Sequence, residues 1–296
     1  MIRTWYQRQG ERETFAIRRC NLFPRSQPRS MHANPLVIPT VVGAAALFWS
    51  GYTLEQRADS TARKVALWAF SLIFAIPGML FVLYYVHLFD SAAWFYNLRI
   101  LAGVEVASCG LGLVAGVTQR WWGPESFGER AIVPTVFLML VLIPFVKPML
   151  DPLDVRQLQD RFEGDVCLQS TFSTCGPASA VTLLRSFGAN STEKQFALEC
   201  FTSRGGTEIW YLARALRRRG YATSVVIQKQ AGERLPAPAI AGVVLRGGAG
   251  HFIAVLSSKD DSVTIADPLK GKFVLTMSEL QQQYHFTGFF LLVHPG

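Results

Sequence analysis

Apolar residues are concentrated between positions 36 and 150, where they form long runs without charge. Residues 36–52, 65–89 and 131–146 contain no Asp, Glu, Lys or Arg. A helix needs about 20 mostly apolar residues to cross a hydrocarbon core, and the second run exceeds that length. The pattern therefore predicts a multi-pass α-helical membrane region over residues 36–150.

A further run, residues 100–119, has a similar length but contains Glu105. A carboxylate in a membrane span is costly and has to face another helix or become protonated. We expect a fourth span here, with Glu105 in a polar contact between helices; a later start and a re-entrant segment are the alternatives. Four spans return the C-terminal domain to the side of the N-terminus, whereas three place it on the opposite side.

The composition agrees with a membrane protein. Half of the residues are hydrophobic, only 17% are charged, and the net charge is +8. An arginine-rich tail over residues 1–35 precedes the first apolar run, and basic residues beside a span favour a cytoplasmic N-terminus over nucleic-acid binding. Prolines and acidic residues in this tail indicate a disordered segment rather than a transit peptide. Met1 and Met31 are both candidate starts.

Residues 151–296 have the composition of a soluble domain, and their pattern changes from period 3.6 to period two. Helices are predicted over residues 177–187, 190–200 and 207–220, and strands over residues 223–228, 240–245, 252–256, 263–266, 273–275 and 288–293. In the second helix, Asn190 and Glu193 have the spacing of a capping pair. Helices followed by strands indicate an α+β domain.

Cys175 lies at the predicted N-terminus of the first of these helices, where the helix dipole favours a negative sulfur. A thiolate is the nucleophile in cysteine-based catalysis. The other cysteines have no paired spacing, so no disulfide framework is predicted, and Cys167 and Cys200 are expected in the core. The sequence contains neither a zinc-ligand pattern nor a GxxxxGK[ST] phosphate loop, so neither a metal nor a cofactor is indicated.

His251 opens one predicted strand and Asp267 closes the next. A turn near residues 259–260 would bring the two within about two positions of each other on neighbouring strands. A carboxylate beside an imidazole fixes its tautomer and stabilises its charged form. Gln169, six residues before Cys175, carries an amide that can donate to an oxyanion formed at the sulfur.

Three short motifs carry a resemblance to a known family: Gln169-x5-Cys175-Gly176, Gly250-His251-Phe252 and Asp267-Pro268. They resemble those of the bacteriocin-leader, or double-glycine, peptidases, which are family 39 of the cysteine peptidases and are papain-like in fold. The resemblance covers about residues 160–294. It implies that Cys175 is the nucleophile, His251 the general base and acid, Asp267 the orienting carboxylate and Gln169 the oxyanion donor.

The resemblance also implies a substrate. Residues 151–296 would form a papain-like peptidase domain that cleaves after a Gly-Gly pair in a peptide or protein with a leader segment. Many relatives are fused to an ATP-driven exporter, so a separate exporter is an expected partner beside the lipid bilayer. Thr174 and Pro177 differ from the residues that usually flank the family's Cys-Gly pair, which affects the expected leader specificity.

With four spans, we expect the domain to face the cytoplasm from a bacterial inner (plasma) membrane.

Two other functions fit the same residues. The domain can be a non-cleaving module that binds leader peptides at the membrane and presents them to a partner. It can also be a papain-like transferase or amidase that uses the same three side chains. Reactivity of the Cys175 thiol separates the first alternative from an enzyme, and a panel of peptide and acyl substrates separates the second.

Overall fold

The structure is a computed structural model, and it describes residues 34–122, 126–228, 234–245, 247–259 and 262–296. Most of the predicted basic tail and both candidate starts lie outside the described residues, as does residue 260 of the predicted turn. The described residues belong to one compact unit.

The first part of the chain is helical. Its helices are α1 (Val37–Arg57), α2 (Thr61–Tyr85), α3 (Ala93–Ile100), α4 (Leu111–Trp122), α5 (Phe127–Leu142) and α6 (Val146–Leu150), and a 3-10 segment over Val104–Gly110 leads into α4. Among the described residues, three helical stretches are long and apolar enough to cross a membrane, namely Val37–Arg57, Thr61–Tyr85 and Gly128–Leu150. They coincide with the three uncharged runs of the sequence.

The expected fourth span differs from a single straight helix. Ala93–Ile100 and Val104–Trp122 meet at an angle of 97°, and Gly103 at the corner has a φ of 80°. Glycine adopts this left-handed conformation without the steric penalty of a side chain. The predicted run over residues 100–119 is therefore divided by a corner, and only the part after it runs alongside α1 and α2.

Glycines bring α4 close to α1. A Cβ atom on Gly112 would lie 2.1 Å from the carbonyl oxygen of Ala44, and one on Gly116 would lie 2.0 Å from that of Phe48. Small residues four positions apart allow two helix backbones to approach within a bilayer. The close packing therefore depends on the absence of side chains at these two positions.

One end of the helical bundle contacts the C-terminal part of the chain. Asn34, just before α1, donates from Nδ2 to the Tyr211 hydroxyl at 3.3 Å. Tyr84, at the end of α2, donates to Glu208 at 3.2 Å, and Lys147 in α6 lies 2.7 Å from the same carboxylate. The start of α1 and the ends of α2 and of the α5–α6 stretch thus lie at the same end.

Charged residues mark the opposite end. Glu55, near the end of α1, pairs with Lys64 at 2.9 Å and with Arg120, near the end of α4, at 3.6 Å. Lys64 lies at the start of α2. The segments α1, α2, Val104–Trp122 and α5 therefore alternate in direction, and residue 34 and the C-terminal part share one end of the bundle.

The C-terminal part contains the predicted helices followed by the predicted strands. Its elements are β1 (Arg161–Glu163), β2 (Val166–Leu168), α7 (Cys175–Ser186), α8 (Glu193–Glu199), α9 (Ile209–Arg217), β3 (Tyr221–Ile227), β4 (Ala239–Val244), β5 (Gly250–Lys259), β6 (Ser262–Asp267), β7 (Gly271–Thr276), α10 (Met277–Gln283) and β8 (His285–Pro295). The last six strands form an antiparallel sheet in the order β3-β8-β4-β5-β6-β7. All six predicted strands are present in it, and β1, β2 and α10 were not predicted.

Both faces of the sheet are covered by apolar side chains. On one face, Leu183 of α7 and Leu212 of α9 belong to a cluster with Val225 and Leu291 of the sheet. On the other face, Leu280 of α10 packs with Ile253 and other strand residues. Helix α7, which begins with Cys175, is thereby fixed against the strands.

The predicted cap of α8 is wrong by two residues. Thr192, rather than Asn190, occupies the N-cap position, and its side chain accepts from the Gln195 backbone N–H. Thr192 has the extended backbone that an N-cap requires, and its hydroxyl reaches the third N–H of the helix. Glu193 is therefore the first helical residue instead of the third.

Candidate active site

Cys175 is the first residue of α7, and only 8% of its surface is exposed. Thr174 precedes it at the N-cap position, but its side chain forms no capping hydrogen bond. The Thr174 hydroxyl instead donates to the carbonyl of Thr171 at 3.0 Å. The sulfur therefore lies at the positive end of the dipole of a 12-residue helix.

His251 and Asp267 form a hydrogen-bonded pair in the interior. The Nε2–H of His251 donates to Oδ1 of Asp267 at 2.8 Å, and the two residues are 5% and 0% exposed. Cys175 borders the same cleft as the imidazole, and its interaction with the ring contributes to the raised pKa of His251. Because Nε2 is engaged by the carboxylate, Nδ1 is the nitrogen that serves the sulfur. The structure thus brings three of the four predicted site residues to one place, with His251 and Asp267 hydrogen-bonded and Cys175 beside His251 in the cleft.

The strand register explains this pairing. Ala254 of β5 lies opposite Ala266 of β6, and extending that register puts Asp267 diagonally across from His251. Diagonal neighbours on adjacent strands are within reach of long side chains. The predicted separation of no more than two positions between His251 and Asp267 is therefore correct. A β-bulge between Val255 and Ser257 shifts the register only in the rest of the hairpin.

Asp267 has further partners that sequence reasoning missed. Its Oδ2 accepts from the Tyr284 hydroxyl at 2.8 Å, and its Oδ1 also accepts from the Leu269 backbone N–H at 2.9 Å. Lys270 Nζ is 3.9 Å from Oδ2 and lies 4.7 Å from the centre of the Tyr284 ring. Tyr284 follows a short helix that lacks a strong pattern, so no signal in the sequence associated it with Asp267.

The charges of this pair depend on these hydrogen bonds. Burial alone would lower the pKa of His251, but hydrogen bonds and charge interactions with Asp267 and Cys175 outweigh it and raise the pKa to about 9. Burial would raise the pKa of Asp267, but His251, Leu269 and Tyr284 lower it below its ordinary value. A charged imidazole beside an ionised carboxylate is therefore the favoured state at neutral pH.

Gln169 occupies a different environment from the other three. Its Nε2 donates to the Thr171 carbonyl at 2.9 Å, and its Oε1 has no hydrogen-bond partner among the described residues. Its backbone N–H donates to the Pro268 carbonyl at 3.0 Å, which ties the loop before Cys175 to the segment that carries Asp267. Gln169 is not among the described residues that line the cleft.

The other buried cysteines of this part of the chain lie away from the cleft. Cys167 and Cys200 are both fully buried in the same apolar cluster. Burial raises the pKa of Cys167 to about 12 and that of Cys200 well above its ordinary value. Both are therefore neutral thiols in the core.

Cys175 and His251 open into a cleft of about 390 Å³. Glycines contribute much of its lining, namely Gly205, Gly206, Gly242 and Gly250, and the aromatic residues are Tyr84, Tyr96, Phe172, Phe252 and Phe289. Tyr84, Tyr96 and Lys147 come from the helical part, which sequence reasoning did not connect with the site. The described residues contain no group of three or more His, Cys, Asp or Glu positioned to hold a metal ion.

A cysteine at the start of a helix, packed against an antiparallel sheet that carries a histidine, is the arrangement of papain-like cysteine peptidases. Residues 164–296 match the Peptidase C39 family. An uncharacterized protein of Methanothermobacter marburgensis is 32% identical over 113 residues, which are 38% of this chain and 78% of that protein. The chain belongs to the peptidase C39 family, and it is a cysteine-type peptidase.

Other similar proteins are larger or share less sequence. The lactococcin-G-processing and transport ATP-binding protein LagD of Lactococcus lactis is 26% identical over 136 residues, which are 44% of this chain and 19% of LagD. A crystal structure of a double glycine motif protease from an AMS/PCAT transporter, in complex with the leader peptide, covers 44% of this chain and 91% of its own, at 24% identity and a TM-score of 0.38. The match to the peptidase domain of Streptococcus ComA covers 47% of this chain and 98% of the ComA domain, at 18% identity and a TM-score of 0.36.

Proposed function

We propose that this protein is a membrane-bound peptidase that uses Cys175, His251 and Asp267 as its catalytic triad. The observation that carries the proposal is the buried hydrogen bond between His251 and Asp267, at a cleft that Cys175 also lines. A thiolate beside an imidazolium is the reactive form of such a site. The carboxylate orients the ring and stabilises its charge.

The proposed reaction has two steps. The Cys175 sulfur attacks the peptide carbonyl carbon, and as the C–N bond breaks, the proton on His251 Nδ1 passes to the leaving amine. Water then attacks the thioester while His251 accepts a proton from it, and the C–S bond breaks to release the acid. The release of the sulfur as a thiolate beside the newly protonated His251 restores the starting state, so protons and electrons balance over the cycle.

The oxyanion of each step needs hydrogen-bond donors. The backbone N–H of Cys175 at the start of α7 is one candidate, and the side-chain amide of Gln169 is the other. Gln169 Nε2 carries two protons, and one of them is donated to the Thr171 carbonyl. The second proton is therefore the one that we assign to the oxyanion.

The proposed substrates are peptides with a leader that ends in two glycines. Family membership supports this class of substrate, as does the similarity to LagD, a processing and transport protein. Four glycines are among the residues that line the cleft with Cys175. We propose that the released peptide passes to a separate exporter.

The proposed location is a bacterial inner membrane with the peptidase domain in the cytoplasm. Large apolar side chains such as Ile38, Trp49, Ile73 and Met139 are more than half exposed on the outside of the bundle, as expected of surfaces that face lipid. Alternation of four segments supports four crossings. Residue 34 and the peptidase domain then lie on the same side of the membrane, and the arginine-rich tail favours the cytoplasmic side.

A cleavage assay on the full chain in detergent tests the proposal. Leader peptides with Gly-Gly before the scissile bond are incubated with the wild type, Cys175→Ala, His251→Ala and the control Cys109→Ala. We expect cleavage by the wild type and the control, and its loss in the other two, whose thermal unfolding should remain cooperative. Cleavage retained by Cys175→Ala would refute the triad, and binding without cleavage by the wild type would favour a presenting module.

A further inference from the structure

The helical part supplies one wall of the cleft in front of Cys175. Tyr84 at the end of α2, Tyr96 in α3 and Lys147 in α6 all line it. Cys175 and His251 are only 8% and 5% exposed, so a substrate reaches them through this cleft. A peptide that occupies the cleft therefore meets residues from outside the peptidase domain.

This wall faces the loop that precedes α9. Glu208 from that loop accepts from Tyr84 at 3.2 Å and pairs with Lys147 at 2.7 Å. The Lys147 side chain is 44% exposed and that of Glu208 is 12% exposed, so the pair borders both solvent and the cleft. One carboxylate thus links the ends of two bundle helices at the edge of the cleft.

The wall is held in place by contacts deeper in the junction. Asn97, next to Tyr96, accepts from the Val225 N–H at 2.8 Å and donates to the Val225 carbonyl at 2.9 Å. The guanidinium of Arg99 lies 3.3 Å from the ring centre of Trp210 in α9. Contacts of this kind fix the position of α3 on the sheet and on α9, so the wall is organised before substrate arrives.

The ring of Tyr96 provides an apolar surface in the cleft. It meets the ring of Phe289 edge to face, with centres 5.0 Å apart, and both rings line the cleft with Tyr84. Aromatic faces of this kind bind apolar side chains, and an edge-to-face pair holds its geometry. Lys147 adds a cation at the rim of the same surface.

We infer that Tyr96 and Lys147 form a substrate subsite, so that the membrane bundle takes part in choosing the peptide. The subsite takes an apolar side chain of the substrate near the scissile bond against Tyr96, with Lys147 bordering the same position. The inference rests on the proposed function, because it needs a peptide bound at Cys175. It adds a role for residues that would otherwise only anchor the enzyme.

Steady-state cleavage by the full chain tests the subsite. Tyr96→Leu and Lys147→Gln are compared with Tyr96→Phe, which keeps the ring, and with Trp94→Leu, an exposed residue of the same helix that does not line the cleft. We expect KM to rise about 10-fold in Tyr96→Leu, as for a lost apolar contact, and to rise in Lys147→Gln through loss of the cation at the rim, while kcat stays within about twofold in both. Trp94→Leu should match the wild type, and KM should rise less in Tyr96→Phe than in Tyr96→Leu. Alkylation of Cys175 by a small reagent should be unchanged in all variants.

Photo-crosslinking provides a second test that leaves the wall intact. A leader peptide with a benzophenone residue next to the Gly-Gly pair is bound to Cys175→Ala and irradiated. Crosslinks to residues 84–96 or 147 support the subsite. Crosslinks confined to residues 151–296, or an unchanged KM in both Tyr96→Leu and Lys147→Gln, would overturn it even where the wild type cleaves. An uncleaved peptide with the wild type refutes the proposed function itself.

Discussion

Glu105 of the helical part and Arg214 of the peptidase domain form a buried ion pair, with Oε1 and Nη1 2.6 Å apart. Glu105 is fully buried. Arg214 also donates to the carbonyls of Arg99 and Ile100, which lie just before the corner in the chain. The carboxylate inside an apolar run therefore joins the two parts: the polar contact expected between helices of the bundle is instead made with Arg214 of α9.

Removing one member of this pair should destabilise the whole protein. Glu105→Ala or Arg214→Ala leaves a buried charge without its partner, which costs about 3–5 kcal/mol. The double variant Glu105→Leu/Arg214→Met, with apolar groups of similar size, should recover much of that loss. Thermal unfolding of the purified full chain measures all three. Additive losses in the double variant would contradict an energetic coupling between the two residues.

The activity should fall at alkaline pH as His251 loses its proton. Folding raises the pKa of His251 from 6.5 to about 9, so the charged ring stabilises the fold. This contribution, roughly 3 kcal/mol, is complete below pH about 6.5 and is lost as the pH rises through about 9. A profile of kcat/KM against pH should show an alkaline limb near pH 9. A limb near pH 6.5 would show that the imidazolium has no special stabilisation.

Asp267→Asn should move the same limb to lower pH. The amide cannot stabilise the imidazolium by charge, so the pKa of His251 should fall, and kcat should decrease by a factor on the order of 10⁴, as for an equivalent change in a serine triad. The pH profile and kcat of this variant are measured beside Asp154→Asn, a change at a carboxylate outside the cleft. An unshifted limb in Asp267→Asn would contradict the assigned role.

Tyr284→Phe isolates the hydroxyl that supports Asp267. The change keeps the ring but leaves Oδ2 of a buried carboxylate without that donor, which costs about 1–3 kcal/mol. It also raises the pKa of Asp267, since the hydrogen bond from Tyr284 helps to lower it. We expect reduced stability in urea unfolding and a smaller kcat with KM nearly unchanged. Stability and kcat equal to the wild type would remove Tyr284 from the supporting network.

Gln169→Ala should lower kcat if the amide binds the oxyanion. Loss of one such donor costs about 10²–10³ in kcat, whereas loss of the hydrogen bond to Thr171 alone would act on stability. Alkylation of Cys175 separates the two effects, because it forms no oxyanion and should keep its wild-type rate. Equal losses in alkylation and cleavage would point to a displaced loop instead of a lost donor.

Reporter fusions test the alternating arrangement of the bundle. One reporter follows Gly296, and another is inserted at Asp59 between α1 and α2. Because residue 34 and the peptidase domain share one end while Glu55 and Lys64 meet at the other, we expect the two reporters on opposite sides of the membrane. Activity of both on the same side would contradict four crossings.

Features with a local cause were predictable from the sequence. Uncharged length located three helical stretches, since burying a charge in lipid is costly wherever it occurs. Period-two patterns located all six strands of the main sheet, and one short turn was enough to bring His251 beside Asp267. In each case the determining residues are neighbours in the chain or on adjacent strands.

Features that depend on distant packing were not predictable. Tyr96 lies in the cleft because Asn97 bonds Val225, a partner 128 positions along the chain, and no periodicity signals that contact. The corner at Gly103 lies two residues before Glu105, whose partner Arg214 is 109 positions further along the chain. The cap of α8 was also not predictable, although it is a local feature. Asn190 and Thr192 both have side chains that can cap a helix, and only the backbone conformation decides that Thr192 does so.

The missing side chains of Gly112 and Gly116 have a consequence for the enzyme. A methyl group at either position would push the α1 backbone aside, and the asparagine just before α1 is bonded to Tyr211 of α9. Helix α9 follows the loop that forms one side of the peptide's entrance. Inherited variation at two glycines of the helical bundle is therefore expected to appear as altered proteolysis, although neither residue lines the cleft.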